Sequence, residues 1–280
     1  MATPALEGPA VLDLLADGEW HSGVTLGQTL GLSRAAIWKQ VRVLRTLGLS
    51  IAADRGRGYC LAVPLDLLSE PAIRAALRPP TLQALEALDV LVVTTSTNER
   101  LTSRPAPPPG RISAVVAEYQ TGGRGRRGRR WLSPLGHGIC LSVSWCFELA
   151  PRDLPALSLV AGVAVAMALA DQGVEGVQLK WPNDIVAAGG KLGGILVEVA
   201  GEPGGPLRAV VGIGLNTTLR EAELPRPDAT SLALAGAASA DRDPLLRALL
   251  RGFQEVYGRW QAGDDDGLRE AYLFHCGTIG

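Results

Sequence analysis

From Gly122 to Trp131 the chain reads Gly-Gly-Arg-Gly-Arg-Arg-Gly-Arg-Arg-Trp, five arginines interleaved with four glycines. Glycine at this density forbids a stable helix and permits positive φ and close backbone approach, so the segment is predicted to be a mobile loop that grips an anion. Its flanks restrict the surrounding fold. An apolar run at Ala114 to Ala117 precedes it. From Ile139 the sequence alternates strictly, with Ile139, Leu141, Val143, Trp145 and Phe147 on one face and Cys140, Ser142, Ser144 and Cys146 on the other. The loop therefore joins two strands of one sheet, the second expected to be half-buried with its cysteines as packing residues. Charge alone leaves its role open between a phosphate-bearing small molecule, RNA and a plain linker.

Such clustering matters because the chain as a whole is nearly neutral, with 27 Lys+Arg against 28 Asp+Glu and a formal net charge of -1. That balance excludes a uniformly basic coat for nucleic acid and leaves only local patches. At 280 residues, 47% hydrophobic and 20% charged, the chain is expected to be globular, with two domains and a sizeable core. Cys60, Cys140, Cys146 and Cys276 show no Cys-x-x-Cys spacing and follow no signal peptide, so a reduced, cytoplasmic protein without a zinc site is expected. The longest apolar run, Leu157 to Ala170, is shorter than the roughly 20 residues a membrane span needs, and no transmembrane segment is predicted.

Composition shifts near Pro64, where helix signals give way to a connector marked by Pro71, Pro79 and Pro80. This predicts an N-terminal module over 1–63, a linker over 64–82, a larger domain over 83–275 and a stub over 276–280. In the module Ser22 and Ser33 stand where N-caps belong, with Gly31 between two short apolar-periodic segments and Gly48 closing the second. Leu26 and Leu30 share one face of the first helix, and Ile37, Val41 and Leu44 one face of the second. Extended runs around Asp54-Arg55-Gly56-Arg57-Gly58 complete a winged helix-turn-helix pattern.

A lone basic helix is more often an ordinary solvated face, but here two basic elements coincide. Ser33, Arg34, Lys39, Arg42 and Arg45 on the second helix and Arg55 and Arg57 on the hairpin are the candidates for DNA contact. Trp38 is open between packing at the domain interface, the favoured reading, and a base contact.

The larger domain is expected to be α+β on a mixed or mainly antiparallel sheet, with strands at Val90–Val93, Val177–Lys180, Gly194–Val199 and Ala209–Gly214. Helices are expected from about Pro155 to Ala170 and from about Pro244 to Trp260, the latter burying Leu246, Leu249, Phe253, Val256 and Trp260.

Further motifs carry chemistry. Lys180-Trp181-Pro182-Asn183-Asp184 turns the chain at a strand end, where Lys180 is either a site cation or merely solvated. Gly189-Gly190-Lys191-Leu192-Gly193-Gly194 sets a second lysine between glycine pairs, removing bulk around one cation. Gly212-Ile213-Gly214-Leu215-Asn216 has alternate glycines on a strand, and Thr95-Ser96-Thr97-Asn98 follows another strand with four compact hydrogen-bonding side chains.

In this order, and with Glu118-Tyr119-Gln120 leading into the arginine loop, these motifs resemble one family closely: the bacterial biotin protein ligases of the bifunctional type, also called biotin operon repressors. Ser33 to Gly48 resembles that family's DNA-reading helix, and the resemblance runs from about residue 10 to residue 276. It implies a winged helix-turn-helix before a central mixed-sheet ligase domain. Family members usually continue into an SH3-like barrel, and the chain stops near where that barrel would begin, so the barrel is expected to be absent and 276–280 poorly ordered.

The implied activity joins biotin and ATP into biotinyl-5'-adenylate with Mg²⁺, then passes biotin to a lysine of the biotin carboxyl carrier protein. A homodimer holding the adenylate would bind operator DNA of biotin genes. Carboxylate attack on a phosphate sets like charges together, so lysine and arginine do most of the work, with Lys191 and Arg126 the catalytic candidates. Ser96, Thr97, Asn98, Gln120, Gly123, Arg124, Gly125, Arg126, Lys191 and Gly194 are implied for biotin. Arg126, Arg129, Trp131, Lys180, Asn183 and Asn216 are implied for the nucleotide, with Trp131 either shielding adenine or packing in the core. Asp184 is the candidate metal ligand, or a turn cap. The competing reading is a DNA-binding regulator that senses biotin or its adenylate without productive transfer.

Overall fold

The structure, a computed structural model, describes residues 9–147, 156–201 and 206–277. Near the N-terminus, helix α1 (Val11–Leu15) precedes α2 (Gly23–Leu30) and α3 (Arg34–Thr46). Ser22 Oγ accepts the Thr25 N–H and Ser33 Oγ the Ala36 N–H, so both expected caps are in place. Gly31, left-handed at φ 64°, ends α2. Strands β1 (Ile51–Asp54) and β2 (Gly58–Leu61) form the wing, whose tip is held by Asp54 Oδ1 accepting the N–H groups of Gly56 and Arg57. Leu12, Leu15, Leu26, Ile37, Val41 and Leu44 form a separate small core. Trp38 departs from expectation: it is 47% exposed and lies beside Arg42, whose guanidinium carbon is 4.8 Å from the ring centroid.

The stretch expected to be a linker carries α4 (Glu70–Ala76) and the start of α5 (Thr81–Ala84). Leu68, Ile73 and Leu77 within it are buried in the core of the larger domain. That domain is built on seven strands, β3 (Leu85–Thr94), β4 (Ile112–Gln120), β5 (Gly138–Phe147), β6 (Gln178–Lys180), β7 (Asp184–Ala187), β8 (Gly190–Gly201) and β9 (Leu207–Asn216). Their order is β3-β4-β5-β9-β8-β7-β6; β3 and β4 are parallel and every other pair is antiparallel.

One face of this mixed sheet packs on α7 (Leu157–Asp171) and α8 (Arg242–Gln261), and α9 (Asp265–His275) follows. Helix α7 is apolar on all sides because it is buried on all sides. Pro155, the predicted start of that helix, lies outside the described residues. No helix of the described residues is long and apolar enough to cross a membrane. Cys276, expected in a poorly ordered stub, instead bridges to Leu179 alongside β6, with the Gly277 N–H donating to the Leu179 carbonyl; 278–280 lie outside the described residues.

The half-buried reading of β5 is corrected. Its apolar face meets α7 and α8, but Cys140, Ser142 and Ser144 on the other face are also buried, at 1%, 0% and 0% exposure. Helix α6 (Thr97–Thr102) and the residues around it cover them, with Leu101, Val115 and Val210 forming a second small apolar cluster. A central strand thus has two buried sides, and the polar one faces a site rather than water.

Where linker, sheet and α8 meet lies a buried ion pair. Arg242, 5% exposed, donates to Glu118 at the end of β4, 2% exposed, and also to the Asp66 carbonyl. The second Glu118 oxygen accepts the Leu68 N–H at 2.7 Å. Three segments are joined by one pair of charges that water does not reach. Breaking such a pair leaves an uncompensated buried charge, so Arg242→Met is expected to destabilise the protein by about 3–5 kcal/mol, with partial recovery in Glu118→Gln/Arg242→Met. Urea denaturation measures this, and a single variant as stable as the parent would remove the pair from its central place.

Candidate active site

The β3–α6 turn, the loop after β4, the β6–β7 turn and strands β8 and β9 enclose a cavity of about 430 Å³. Of the residues implied for biotin, Ser96, Thr97, Asn98, Gln120, Arg124, Gly125, Arg126, Lys191 and Gly194 line it. Gly123 does not; its carbonyl accepts the Trp131 N–H at 2.9 Å and closes the loop. Among the nucleotide candidates Arg126, Arg129, Trp131, Asn183 and Asn216 line the same cavity, whereas Lys180 is exposed at its strand end and outside the lining.

The head of the cavity is a closed hydrogen-bond network. Ser96 Oγ caps α6 by accepting the Glu99 N–H at 3.5 Å. Gln120 Oε1 accepts the Thr97 N–H at 2.8 Å and lies 3.2 Å from the Thr97 hydroxyl. From beneath, Ser142 of β5 lies 2.7 Å from Thr97 Oγ1 and 2.6 Å from Asn98 Oδ1, while Asn98 Nδ2 donates to Glu198 of β8 at 2.7 Å. Two glycines of β9 make room. A Cβ on Gly212 would fall 2.4 Å from Asn98 Oδ1, and one on Gly214 would fall 2.2 Å from Cε2 of Trp131. Trp131 therefore lies across the strand within the cavity wall. Below it, burial pushes the Cys140 thiol up to about 11 against the opposing pull of Gln120, Trp131 and Ser133, which keeps it neutral and unreactive.

The arginine segment, expected as a mobile loop, forms a tight hairpin in the structure. Gly125 donates to the Arg129 carbonyl at 2.7 Å, Arg124 and Arg130 bridge, and Arg126–Gly128 form one 3-10 turn with Arg127 left-handed at φ 57°. Glycine excludes a longer helix, while pairing at its base closes the hairpin. Arg126, Arg127, Arg129 and Arg130 line the cavity and remain exposed; Arg124 lies 3.9 Å from Glu99.

Opposite this hairpin, Lys191 Nζ donates to Asp184 Oδ1 at 2.5 Å. Gly194 faces the lysine, whereas a Cβ on Gly193 would strike the Gly214 carbonyl at 2.4 Å, so only part of that glycine run serves the cation. Asn183 Nδ2 donates to the Ile195 carbonyl at 2.9 Å and pins the turn to β8. Asn216 Nδ2 donates to the Thr230 carbonyl at 2.9 Å, and its Oδ1 is buried without a protein partner, leaving an acceptor for a ligand donor. Asp184 is the sole carboxylate of the lining, and no group of three or more His, Cys, Asp or Glu forms a metal cluster among the described residues. One carboxylate suits Mg²⁺ carried mainly by phosphates, not an all-protein metal cage.

On the N-terminal module Arg34, Lys39, Arg42, Arg55 and Arg57 are exposed, and Arg57 lies 4.2 Å from the Trp20 ring centroid. Arg45 donates to the Ile51 carbonyl through Nε at 3.1 Å and Nη2 at 2.6 Å, tying helix to wing, and the Ser33 hydroxyl is engaged as a cap.

Several cavity residues escaped sequence reading. Ser142, beneath the cavity, is placed by the sequence only on the second face of a half-buried strand, because alternation reports burial and not what lies above a strand. Arg226 and Ala229 come from a segment without a recognised motif, placed by a bridge between Lys191 and Ala229. Its only local signal is the Arg226–Asp228 ion pair across one proline.

A mixed sheet whose loops enclose a cationic cavity, joined to a winged helix-turn-helix, defines a two-domain ligand-binding protein. Residues 90–216 match the model of the Biotin/lipoate A/B protein ligase family and residues 10–60 that of an HTH domain. Bifunctional ligase/repressor BirA of Salmonella typhimurium is 42% identical over 216 residues, covering 76% of this chain and 64% of the relative. Its Bacillus subtilis counterpart is 35% identical over 270 residues, covering 94% of this chain and 82% of the relative. Biotin protein ligase from Leishmania major in complex with biotinyl-5-AMP is similar in structure, with a TM-score of 0.55 and 26% identity over 71% of this chain and 82% of that one. The chain belongs to the biotin protein ligase family, among members with an N-terminal helix-turn-helix. It spans 64% of the length of the Salmonella relative.

Adding one methyl tests the fit at the head of the cavity. Gly212→Ala is expected to displace Asn98 and cost about 1–3 kcal/mol through overpacking. Thermal unfolding together with a crystal structure of the variant measures both, and an unmoved Asn98 would contradict the close approach.

Proposed function

We propose that this protein activates biotin with ATP to biotinyl-5'-adenylate and transfers biotin to a lysine of the biotin carboxyl carrier protein. One observation carries the reading: a neutral hydrogen-bonding pocket at Thr97, Asn98 and Gln120 and a cationic wall of Lys191 and the arginine hairpin share one cavity. A cyclic urea has two N–H donors and one carbonyl acceptor, and side-chain amides and hydroxyls match it without charge. At the other end, a carboxylate oxygen forms a bond to the α-phosphorus while pyrophosphate leaves. Lys191 neutralises the two anions as they approach, and Arg126 closes over the product. Mg²⁺, when bound beside Asp184, would screen the phosphate charge. The Asn216 oxygen offers an acceptor for the exocyclic amine of adenine. In the second step the amine of the acceptor lysine attacks the acyl carbon, AMP leaves and the amine loses a proton. Enclosure by Trp131 and the hairpin keeps water from the reactive anhydride until then.

The N-terminal module supports a second role, repression of biotin genes by a homodimer holding the adenylate. Its recognition helix carries Arg34, Lys39 and Arg42, and its wing carries Arg55 and Arg57 to neighbouring phosphates.

Incubation with biotin, ATP, Mg²⁺ and a carrier domain is expected to raise the acceptor's mass by one biotin less one water, read by mass spectrometry. No increase, with adenylate still bound, would favour the sensing regulator over the ligase. Lys191→Met is expected to slow adenylation by about 100-fold or more, as loss of one charge-stabilising donor does. Arg126→Gly should release more free biotinyl adenylate and biotinylate less selectively, and unchanged retention in a filter assay would contradict the closing role. For DNA, affinity for a biotin promoter should rise when the adenylate is bound. Replacing Arg55 or Arg57 by Ala should lower the log–log salt slope by about 0.9 per contact. Binding blind to both sequence and adenylate would remove the repressor role.

A further inference from the structure

We propose that Glu198, which does not line the cavity, sets the donor and acceptor pattern with which the cavity reads its ligand; this rests on the biotin reading above. A carboxylate only accepts, so the 2.7 Å contact commits Asn98 Nδ2 to Glu198 and turns Oδ1 toward Ser142, with the Leu196 carbonyl a longer second acceptor at 3.4 Å. At 2.6 Å that oxygen takes the single Ser142 proton. Ser142 Oγ, 2.7 Å from Thr97 Oγ1, then has no proton left to donate to Thr97. The Thr97 proton goes to Gln120 Oε1 at 3.2 Å, and Thr97 turns lone pairs to the cavity. Gln120 Oε1 also accepts the Thr97 N–H, so its Nε2 is the donor that remains.

The outcome is an acceptor at Thr97 and a donor at Gln120, the complement of a ring N–H beside a ring carbonyl. Were Asn98 reversed, its amide would donate to Ser142 and free the Ser142 proton for Thr97, and the pattern would lose its definition. Asn98 and Ser142, at 4% and 0% exposure, are too buried for solvent to substitute for these partners. Glu198 is therefore a positioning residue that acts on the ligand through Asn98, Ser142 and Thr97.

An exchange of polarity tests this. In Glu198→Gln the new amide both donates and accepts, so only the longer 3.4 Å contact to the Leu196 carbonyl still favours one orientation of Asn98. Calorimetry is to compare biotin, ATP and 2-thiobiotin, in which sulfur, a weak acceptor, replaces the ring carbonyl oxygen. The variant is expected to bind biotin about tenfold more weakly and to prefer it less over 2-thiobiotin, with ATP affinity unchanged, because only the hydrogen-bond readout is altered. Asn98→Asp/Glu198→Gln should restore both, since a carboxylate at position 98 again takes the Ser142 proton. Ser142→Ala, which interrupts the relay without changing charge, should reproduce the single-variant loss, and thermal melts check that each variant folds. Unaltered biotin binding in Glu198→Gln, or an exchange no better than the single variant, overturns the role of Glu198. A parent protein that does not bind biotin overturns the ligand reading itself.

Discussion

The Glu118–Arg242 ion pair is the constraint on which the remaining structure hangs. It joins the end of β4, the start of α8, and the backbone at Asp66 and Leu68 in a place water does not reach. Gln120, two residues after Glu118, enters the cavity, and the arginine hairpin follows at once. Leu65 and Leu67, beside those latched carbonyl and amide groups, pack on the core of the N-terminal module with Leu135, just beyond the hairpin. The same charges thus set the height of the ligand site and the point from which the helix-turn-helix departs.

Within the cavity the division of labour follows from electrostatics. The head of the cavity is neutral, and Thr97, Asn98, Gln120 and Ser142 orient one another through hydrogen bonds. Charge is placed where phosphate would arrive: on exposed arginines of a hairpin, where desolvation costs little, and on one lysine held by one aspartate. Glycines of β9 join the two halves by letting Asn98 and Trp131 lie on the strand itself. The Cys140 thiol, buried beneath Trp131 and outside the cavity lining, stays neutral.

Much of this was legible in the sequence, for local reasons. Ser22 and Ser33 act as caps because a short hydroxyl satisfies the free N–H groups of the next turn whatever the fold. Alternation along β5 located the strand but misjudged its second face, since a pattern of small polar residues looks the same toward water as toward α6. The prolines near 71 and 80 suggested a linker, yet Leu68, Ile73 and Leu77 are core, because proline marks helix starts as readily as loops. Arg45 looked like its basic neighbours on α3 and instead holds the Ile51 carbonyl.

By itself the sequence determined the order of helix-turn-helix and mixed sheet, the main strands and the longer helices, a glycine-arginine segment that cannot be a long helix, and the family to which the chain belongs. These follow from caps, periodicity, glycine content and motif order, which act over a few residues. Only the tertiary structure decided which distant groups meet: Glu118 with Arg242 across 124 positions, Asn98 with Glu198 across 100, and Arg226 at the cavity rim. Such pairings depend on sheet order and helix packing, and burial makes them strong by removing the water that would otherwise satisfy each partner alone.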